Sequence, residues 1–235
     1  MRLTIPFMLM IWLYAGTATA QNWRDSLTYL NREIASGPWS TSLHHRKATA
    51  NLQLQQWQYA IDEYSLILQR EPHNPAALFY RAYANTHMRR YELARHDYES
   101  LLQFAPRHMQ ARLALAYVLQ LMGKNSDALD QLNQTVELHP DSAIAYATRA
   151  SLEREMKQPE PALYDWQRAS ELDGKNADYV ASHVDLLLSL KRNKDAIRVL
   201  DEAVARGIDR ARLNEWYVKC RKRKRMSAGI SLGKR

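Results

Sequence analysis

The sequence predicts an all-α protein built from tandem helical hairpins, and three observations lead to this fold class. First, the 235 residues include only 7 Gly and 8 Pro, whereas residues that favour helices are abundant. Second, apolar residues recur three and four positions apart over long stretches. Third, the chain repeats its own pattern at a fixed interval. With 46% hydrophobic and 25% charged residues, it has the composition of an ordered protein with a sizeable core.

The first twenty residues have the parts of a secretory signal peptide. Arg2 supplies a positive charge, residues 5–14 form an apolar run, and Ala18 and Ala20 give the small-x-small pattern that signal peptidases accept. A membrane-spanning helix needs about 20 apolar residues, so retention as an anchor is the less favoured alternative. We therefore predict that residues 1–20 are cleaved after Ala20 and that the mature protein is exported, to the periplasm or outside the cell.

Residues 21–40 are predicted to form an N-terminal capping helix and a linker. Four large apolar residues follow helical spacing: Trp23, Leu27, Leu30 and Ile34. The helix should end near Gly37 and Pro38, because both residues interrupt helices.

From Thr41 onward the chain divides into five consecutive 34-residue repeats without an insertion. Their boundaries are 41–74, 75–108, 109–142, 143–176 and 177–210. The eighth position holds Ala48, Ala82, Ala116, Ala150 and Val184, and the twentieth holds Ala60, Ala94, Ala128, Ala162 and Ala196. The twenty-fourth position is large, with Tyr64, Tyr98, Leu132, Trp166 and Leu200. Small residues recur where two helices must approach closely, and large residues recur where neighbouring hairpins meet.

Each repeat is predicted to form two antiparallel helices. In the second repeat, Leu78 and Ala82 lie on the first helix, and Ala94 and Tyr98 lie on the second. Pro106 then stops the helix, as proline does in three of the five repeats. A single hairpin cannot bury its apolar face alone. Stacked hairpins bury it together, which predicts a superhelix with a concave inner surface.

This pattern resembles the tetratricopeptide repeat (TPR) family over residues 41–210. The family's small residues at the eighth and twentieth positions and its proline at the thirty-second are matched by Ala82, Ala94 and Pro106. The fifth repeat departs from the pattern at Val184. The resemblance implies a right-handed superhelical solenoid that binds protein or peptide partners, with no cofactor and no small-molecule substrate.

The family usually binds its partners through the inner face of the first helices. Here the resemblance places eight residues on that face: Phe79, Tyr83, His87, Leu113, Tyr117, Leu121, Arg154 and Asp185. Aromatic and aliphatic side chains spaced four apart could hold an apolar segment of a partner. Phe79 and Leu113 could equally pack between adjacent first helices, so their role stays open.

The C-terminal end concentrates positive charge. Residues 206–235 hold eleven Lys or Arg and two acidic residues. Residues 211–225 are predicted to form a basic solvating helix, and residues 226–235 a disordered tail. The basic patch comprises Lys219, Arg221, Lys222, Arg223, Lys224 and Arg225. It could bind an anionic surface or polymer, or it could simply keep the end of the array soluble. Cys220, the single cysteine, could be a reactive thiol beside these cations or an incidental helix residue.

No catalytic or metal-binding motif is present in the sequence. The eight histidines are scattered, and no zinc-protease, phosphate-loop or CxxC pattern occurs. Asp62, Asp97, Asp130 and Asp165 recur on second helices, where we expect them on the surface. We therefore expect a non-enzymatic scaffold for a bacterial envelope or secretion-related assembly. A tether acting through the basic end is the alternative, and an accessory domain of an enzyme complex is less favoured.

Overall fold

The computed structural model describes the backbone of residues 20–232 and the side chains of residues 22–221, and this part of the chain holds twelve α-helices and no strand. The helices are α1 Ala20–Ser36, α2 Thr41–Gln53, α3 Trp57–Arg70, α4 Pro75–His87, α5 Tyr91–Phe104, α6 Met109–Leu121, α7 Asn125–Leu138, α8 Ala143–Glu155, α9 Pro159–Leu172, α10 Ala177–Ser189, α11 Asn193–Ala205 and α12 Arg210–Leu232. The all-α prediction is confirmed. The predicted signal peptide lies outside the described residues except for Ala20.

The helices follow the 34-residue register of the sequence. The first helices of the five pairs begin at Thr41, Pro75, Met109, Ala143 and Ala177, which are the first residues of the five repeats. In each of these pairs a three-residue turn joins the first helix to the second. The structure therefore has no irregular insertion between residues 41 and 205.

A side-chain cap starts every first helix. Ser40, Asn74, His108, Ser142 and Asn176 each accept a hydrogen bond from a backbone N–H in the first turn of the following helix. These caps satisfy donors that have no partner inside the helix, and Ser and Asn are among the residues that do so best. His108 does it with Nδ1, which accepts from the Ala111 N–H at 3.1 Å.

The turn between paired helices uses one left-handed residue at the fifteenth position of every repeat. These residues are Gln55, Arg89, Gly123, Lys157 and Lys191, with φ values between 56° and 74°. The left-handed residue lets the chain reverse after the helix end, and only glycine adopts it without steric cost. Four of the five turns therefore carry a small amount of backbone strain.

The positions predicted to pack are buried. None of the residues at the eighth, twentieth and twenty-fourth positions exposes more than 3% of its surface. Alanine at the crossing points allows close helix contact, and the large twenty-fourth residue fills the space between successive pairs.

The chain divides into two compact units, residues 1–124 and 125–235. In the N-terminal unit, α1 packs on α2, and the core contains the fully buried side chains of Leu30, Tyr64 and Tyr98. In the C-terminal unit, one apolar cluster extends through α8 to α12 and includes Trp166 and Leu213.

An ion pair repeats between the two helices of a hairpin. It joins the seventh position to the twenty-third, as Lys47–Glu63 at 2.7 Å, Arg81–Asp97 at 2.7 Å and Arg149–Asp165 at 2.6 Å. Both arginines bind their aspartate through two nitrogens, a geometry that holds the guanidinium firmly. Asp97 and Asp165 are 4% and 1% exposed, so the expectation that they lie on the surface is wrong. They are buried because each has a cation sixteen residues earlier in the sequence.

Helix α12 closes the C-terminal unit. Its Leu213, Tyr217 and Cys220 are buried in the same apolar cluster, and Tyr217 donates a hydrogen bond to Asp201 at 2.6 Å. The backbone stays helical to Leu232, whereas the sequence predicts a disordered tail from residue 226. Residues 226–228 include no proline or glycine that would end the helix at that point. Among the described residues, no helix is long and apolar enough to cross a membrane.

Candidate functional site

Six of the eight predicted partner-binding residues lie together in the N-terminal unit. We call this surface the first-helix face and define it by the fifth, ninth and thirteenth positions of the second and third repeats: Phe79, Tyr83, His87, Leu113, Tyr117 and Leu121. Arg154 and Asp185 belong to the C-terminal unit and are described separately below.

The first-helix face is buried at one end and open at the other. Phe79 and Leu113 are 7% and 5% exposed, so they pack inside the unit, as the alternative interpretation of the sequence has it. Phe79 contacts the ring of Tyr98 on α5 and stacks on the ring of His108. At the other end, His87 is exposed and Leu121 exposes 41% of its surface. The part accessible to a partner is therefore the C-terminal half of α4 and α6.

An aromatic group occupies the open end of the first-helix face. The rings of Trp57 and His87 stack with centroids 4.2 Å apart and planes 5° apart, and Tyr83 meets the edge of His87 at 4.5 Å. Trp57 comes from the first turn of α3, in the preceding repeat. The predicted face did not include Trp57, because all of its residues come from first helices. Trp57 is a large aromatic residue at the seventeenth position of its repeat, directly after the turn, and this placement could have indicated that it lies beside the next first helix.

The first-helix face carries no ionised group at neutral pH. Partial burial lowers the pKa of His87 and raises the pKa of Tyr83, so both side chains are neutral. Helices α2, α4 and α6 contain no Asp or Glu. Of their cations, Lys47 is paired with Glu63, Arg81 is held by Asp97, and Arg112 donates to the Pro106 carbonyl at 2.6 Å. The fourth, Arg46, is exposed on α2 and is not one of the six residues that define the face. The face is thus aromatic, hydrogen-bonding and uncharged.

The two predicted residues of the C-terminal unit have different surroundings. Arg154 is partly exposed near the end of α8. Asp185 on α10 accepts hydrogen bonds from Trp216 Nε1 at 3.1 Å and from Lys219 Nζ at 3.4 Å. Residues of α12 therefore bind the Asp185 carboxylate, which was predicted to bind a partner, and leave 44% of its side chain exposed.

Only two residues of the basic patch have described side chains. Lys219 is paired with both Asp185 and Glu215, and these contacts raise its pKa. Arg221 is exposed. The four other members, Lys222, Arg223, Lys224 and Arg225, follow on consecutive positions of α12. Cys220 is 0% exposed, so its thiol lies in the core and away from solvent.

Within residues 22–221, no group of three or more His, Cys, Asp or Glu side chains is placed to hold a metal ion. One cluster of titratable side chains consists of His44, Lys47 and Glu63. It contains one carboxylate, which both neighbouring side chains contact, and it joins α2 to α3. Its geometry is that of a structural ion pair between two helices.

Comparison with known proteins agrees with this geometry. Residues 85–152 match the model of the tetratricopeptide repeat family. This chain has the tetratricopeptide repeat fold. The TPR match spans the end of α4 through most of α8, and the same pairing of helices extends over residues 41–205.

Several solved TPR structures are similar to this chain. A thermophilic TPR protein from Thermus thermophilus aligns with a TM-score of 0.57 and 20% identity, covering 72% of this chain and 92% of that one. MamA from Desulfovibrio magneticus RS-1 aligns with a TM-score of 0.61 and 19% identity, covering 70% and 93%. A TPR protein from Parabacteroides merdae aligns with a TM-score of 0.60 and 18% identity, covering 85% and 78%. At these identities the similarity concerns the fold.

Two curated proteins are similar in sequence. Sperm-associated antigen 1 is 26% identical over 164 residues in Rattus norvegicus and 30% identical over 164 residues in Mus musculus. The aligned region covers 70% of this chain but only 14% of either relative. The chain thus spans about a seventh of the length of these relatives.

Proposed function

We propose that this protein is an exported scaffold that binds a segment of another protein through the open end of the first-helix face, within a bacterial envelope or secretion-related assembly. TPR proteins in general bind protein partners, and the fold supports that general role. The observation that carries the more specific proposal is the uncharged aromatic group of Trp57, Tyr83 and His87 beside the exposed Leu121.

The chemistry of this surface specifies the partner segment. Tyrosine and tryptophan are enriched where proteins bind each other, because each buries a large apolar area and still offers one hydrogen bond. A face without ionised groups offers no ion pair to a charged ligand, and desolvating a charge against it would cost energy. The expected partner is therefore an uncharged segment with aliphatic or aromatic side chains, and its affinity should depend little on salt.

The test is affinity capture from an envelope fraction, with bound proteins identified by mass spectrometry. Tyr83→Ala combined with Tyr117→Ala removes two partly exposed rings without touching the buried Phe79. Tyr59→Ala is the matched control, because Tyr59 is 65% exposed on α3 and lies outside the face. We expect the double variant to lose a partner that the wild type and the control both retain at high salt. Equal capture by all three proteins would contradict the proposal.

The export step is proposed from the signal-like residues 1–20, and it has its own test. Expression of the full chain in a bacterial host should give a periplasmic or secreted product whose first residue is Gln21. Mass spectrometry of the purified protein measures this directly. A cytosolic product that retains residues 1–20 would contradict export.

A tether acting through the basic end is the second candidate. It is favoured by the unbroken helix that carries Arg221 and the four basic residues after it. Such binding releases counterions and weakens steeply as salt rises, unlike binding at the first-helix face. Replacing residues 222–225 by Gln should abolish binding to anionic vesicles if this candidate is right, and loss of partner capture in that variant alone would favour it.

A further inference from the structure

The C-terminal unit contains a cavity of about 340 Å³ between the second helices of the fourth and fifth repeats. Side chains of α9 form one wall, side chains of α11 form the other, and His183 and Leu187 of α10 form the floor. This volume falls at the lower end of the range for small-molecule sites. The cavity is built from second helices, whereas the first-helix face belongs to the other unit.

The residues at the floor of this cavity differ from those at the same positions of the other repeats. In three repeats the seventh position is a cation paired with an acid at the twenty-third. In the fifth repeat the same two positions are His183 and Val199. Valine offers no hydrogen-bond acceptor, so the change removes the partner that the repeat otherwise provides.

His183 is left as a buried polar group facing the cavity. It is 6% exposed, and within residues 22–221 it makes no hydrogen bond. Its ring nitrogens are not among the described side-chain atoms that are fully buried without a hydrogen-bond partner, so they are accessible from the cavity. A histidine ring N–H at the bottom of an accessible cavity is available as a hydrogen-bond donor to a ligand.

The charges around the cavity specify the ligand. Burial, together with the positive charges of Arg192, Arg198 and Arg206, lowers the pKa of His183 to about 4, while Asp195 opposes this change. The ring is therefore neutral at pH 7 and lies in a positive field. An anion beside it would offset that field and accept a hydrogen bond from the ring N–H.

Most of the acidic groups that line the cavity already have cationic partners. Arg192 contacts both Glu160 and Asp195, at 3.2 and 2.8 Å. Glu171 is held by Arg168 at 2.6 Å. Glu202 is the remaining carboxylate of the lining, and Tyr164 is the other titratable group there.

The other two arginines of the lining, Arg198 and Arg206, have weaker contacts with carboxylates. Arg198 is 3.8 Å from Asp195, and 68% of its side chain is exposed. Arg206 lines the cavity and forms no ion pair within 4.0 Å among the described side chains, although its charge helps to lower the pKa of Glu171. Both can turn toward an anion without breaking a strong existing bond.

We propose that this cavity binds a small oxyanion of the sulfate or phosphate class, which accepts a hydrogen bond from His183 and ion-pairs with Arg198 and Arg206. The anion takes the place that the aspartate of the second helix occupies in the second and fourth repeats. A free oxyanion and the phosphoryl group of a small phosphomonoester share this chemistry.

Calorimetric titration of the full chain tests the proposal, with sulfate, inorganic phosphate and methyl phosphate as separate probes. We expect one site in the C-terminal unit, and at least about tenfold weaker binding in Arg206→Gln and in His183→Leu, as the loss of one charge-assisted hydrogen bond predicts. Glu202→Gln should bind more tightly, because it removes a carboxylate from the lining. Tighter binding of methyl phosphate than of inorganic phosphate would assign the site to a phosphomonoester.

His96→Asn is the matched control. His96 lines the corresponding cavity of the N-terminal unit, where the floor is the intact Arg81–Asp97 pair. This variant should bind all three probes as the wild type does. Circular dichroism of each variant verifies that the helices are retained.

Nuclear magnetic resonance of the His183 ring gives an independent readout. Sulfate keeps its double charge from pH 4 to pH 7, so any change in titration comes from the protein. Bound sulfate should raise the pKa of His183 from about 4. No heat of binding with any probe, or an unchanged His183 titration at saturating sulfate, would overturn the proposal. Because the first-helix face plays no part in these measurements, their failure would leave the proposed scaffold function untouched.

Discussion

Replacing Glu153 by Gln should make the protein more stable at pH 8 while changing little at pH 4.5. Glu153 is 6% exposed on α8, and its Oε2 is buried without a hydrogen bond among the described side chains. Burial and the nearby Asp165 raise its pKa from 4.5 to about 7, and Arg149 only partly opposes them. Ionised Glu153 is therefore a destabilising group in the folded protein.

The sign and size of the change in stability with pH follow from the difference between the pKa of Glu153 in the folded and the unfolded state. The pKa of Glu153 is higher in the folded state than in the unfolded state, so the folded protein is favoured most below pH 4.5 and loses stability as the pH rises to about 7. A tenfold change in an acid dissociation constant corresponds to about 1.4 kcal/mol, which gives an upper limit near 3 kcal/mol; solvent screening should reduce it to about 2 kcal/mol. Gln cannot ionise, so this loss should disappear in Glu153→Gln.

Urea unfolding followed by circular dichroism at pH 4.5, 6 and 8 measures the effect. The relevant quantity is the free energy of unfolding of the variant minus that of the wild type, compared between pH values. Burying the amide of Gln costs the same at every pH, so this cost cancels in the comparison. Glu155→Gln is the control, since Glu155 is exposed two residues further along the same helix. If the Glu153→Gln and wild-type stabilities stay parallel from pH 4.5 to 8, the reasoning about a buried, unsatisfied carboxylate is refuted.

Three further predictions concern the repeat architecture. Gly123→Ala should lower the free energy of unfolding by about 1 kcal/mol, and Lys157→Gly should raise it by up to about 1 kcal/mol, because both residues occupy the left-handed turn position. Nothing lies within 4 Å of an added Cβ at Gly123, so the effect there comes from the backbone conformation. Thermal melting measures both variants, and melting temperatures equal to that of the wild type would contradict the backbone strain. Arg149→Met should cost about 3–5 kcal/mol by leaving Asp165 buried and unpaired, whereas Arg149→Met with Asp165→Leu should recover most of it in the same assay. Cys220 should react with a maleimide at least ~100-fold more slowly in the native protein than in urea, because its side chain is reached only through local opening of α12. Rapid labelling of the native protein would show that α12 does not cover the thiol.

The repeat register was predictable from sequence because packing constraints recur at fixed positions. Ala82 and Ala94 must be small for the helices of a pair to touch, and the same requirement returns every 34 residues. In a chain of five repeats, the requirement for small residues at these positions is therefore visible in the sequence five times. The boundaries of the helices follow from the same register, since the cap and the turn residues occupy fixed positions in it.

The roles of polar residues were harder to predict. Asp62 and Asp97 both lie on second helices, yet Asp62 is exposed and Asp97 is buried against Arg81. The distinction lies in a one-position difference of register: Asp97 occupies the twenty-third position and Asp62 the twenty-second. Of these two positions, the twenty-third faces the first helix of its own hairpin. The signal was present as a sixteen-residue spacing between cation and acid, but it is meaningful only once the two helices are known to be antiparallel neighbours.

Surface residues carry still less information in the sequence, because exposure depends on what the neighbouring elements cover. Phe79 and Tyr83 occupy successive turns of one helix face, and the pattern alone treats them alike. The structure buries Phe79 against Tyr98 and leaves Tyr83 partly open beside Trp57. Similarly, the pattern alone does not show that Trp216 and Lys219 of α12 bind the carboxylate of Asp185, whose side chain stays 44% exposed.

Departures from the repeat are the informative positions in such a chain. A packing position that is kept in every copy reports only the fold, because each copy must solve the same packing problem. A position that changes its chemistry in one copy while its neighbours keep their structure needs a local cause. The seventh position meets this criterion in the fifth repeat: α10 and α11 pair as in the other repeats, yet a neutral histidine replaces the cation and a valine replaces the acid. The third repeat also loses the pair, but there it substitutes Leu115, which is apolar and buried and leaves nothing to satisfy. Only His183 combines the loss of the partner with a remaining polar ring and an open cavity, and for that reason the anion site is inferred there and not in the third repeat.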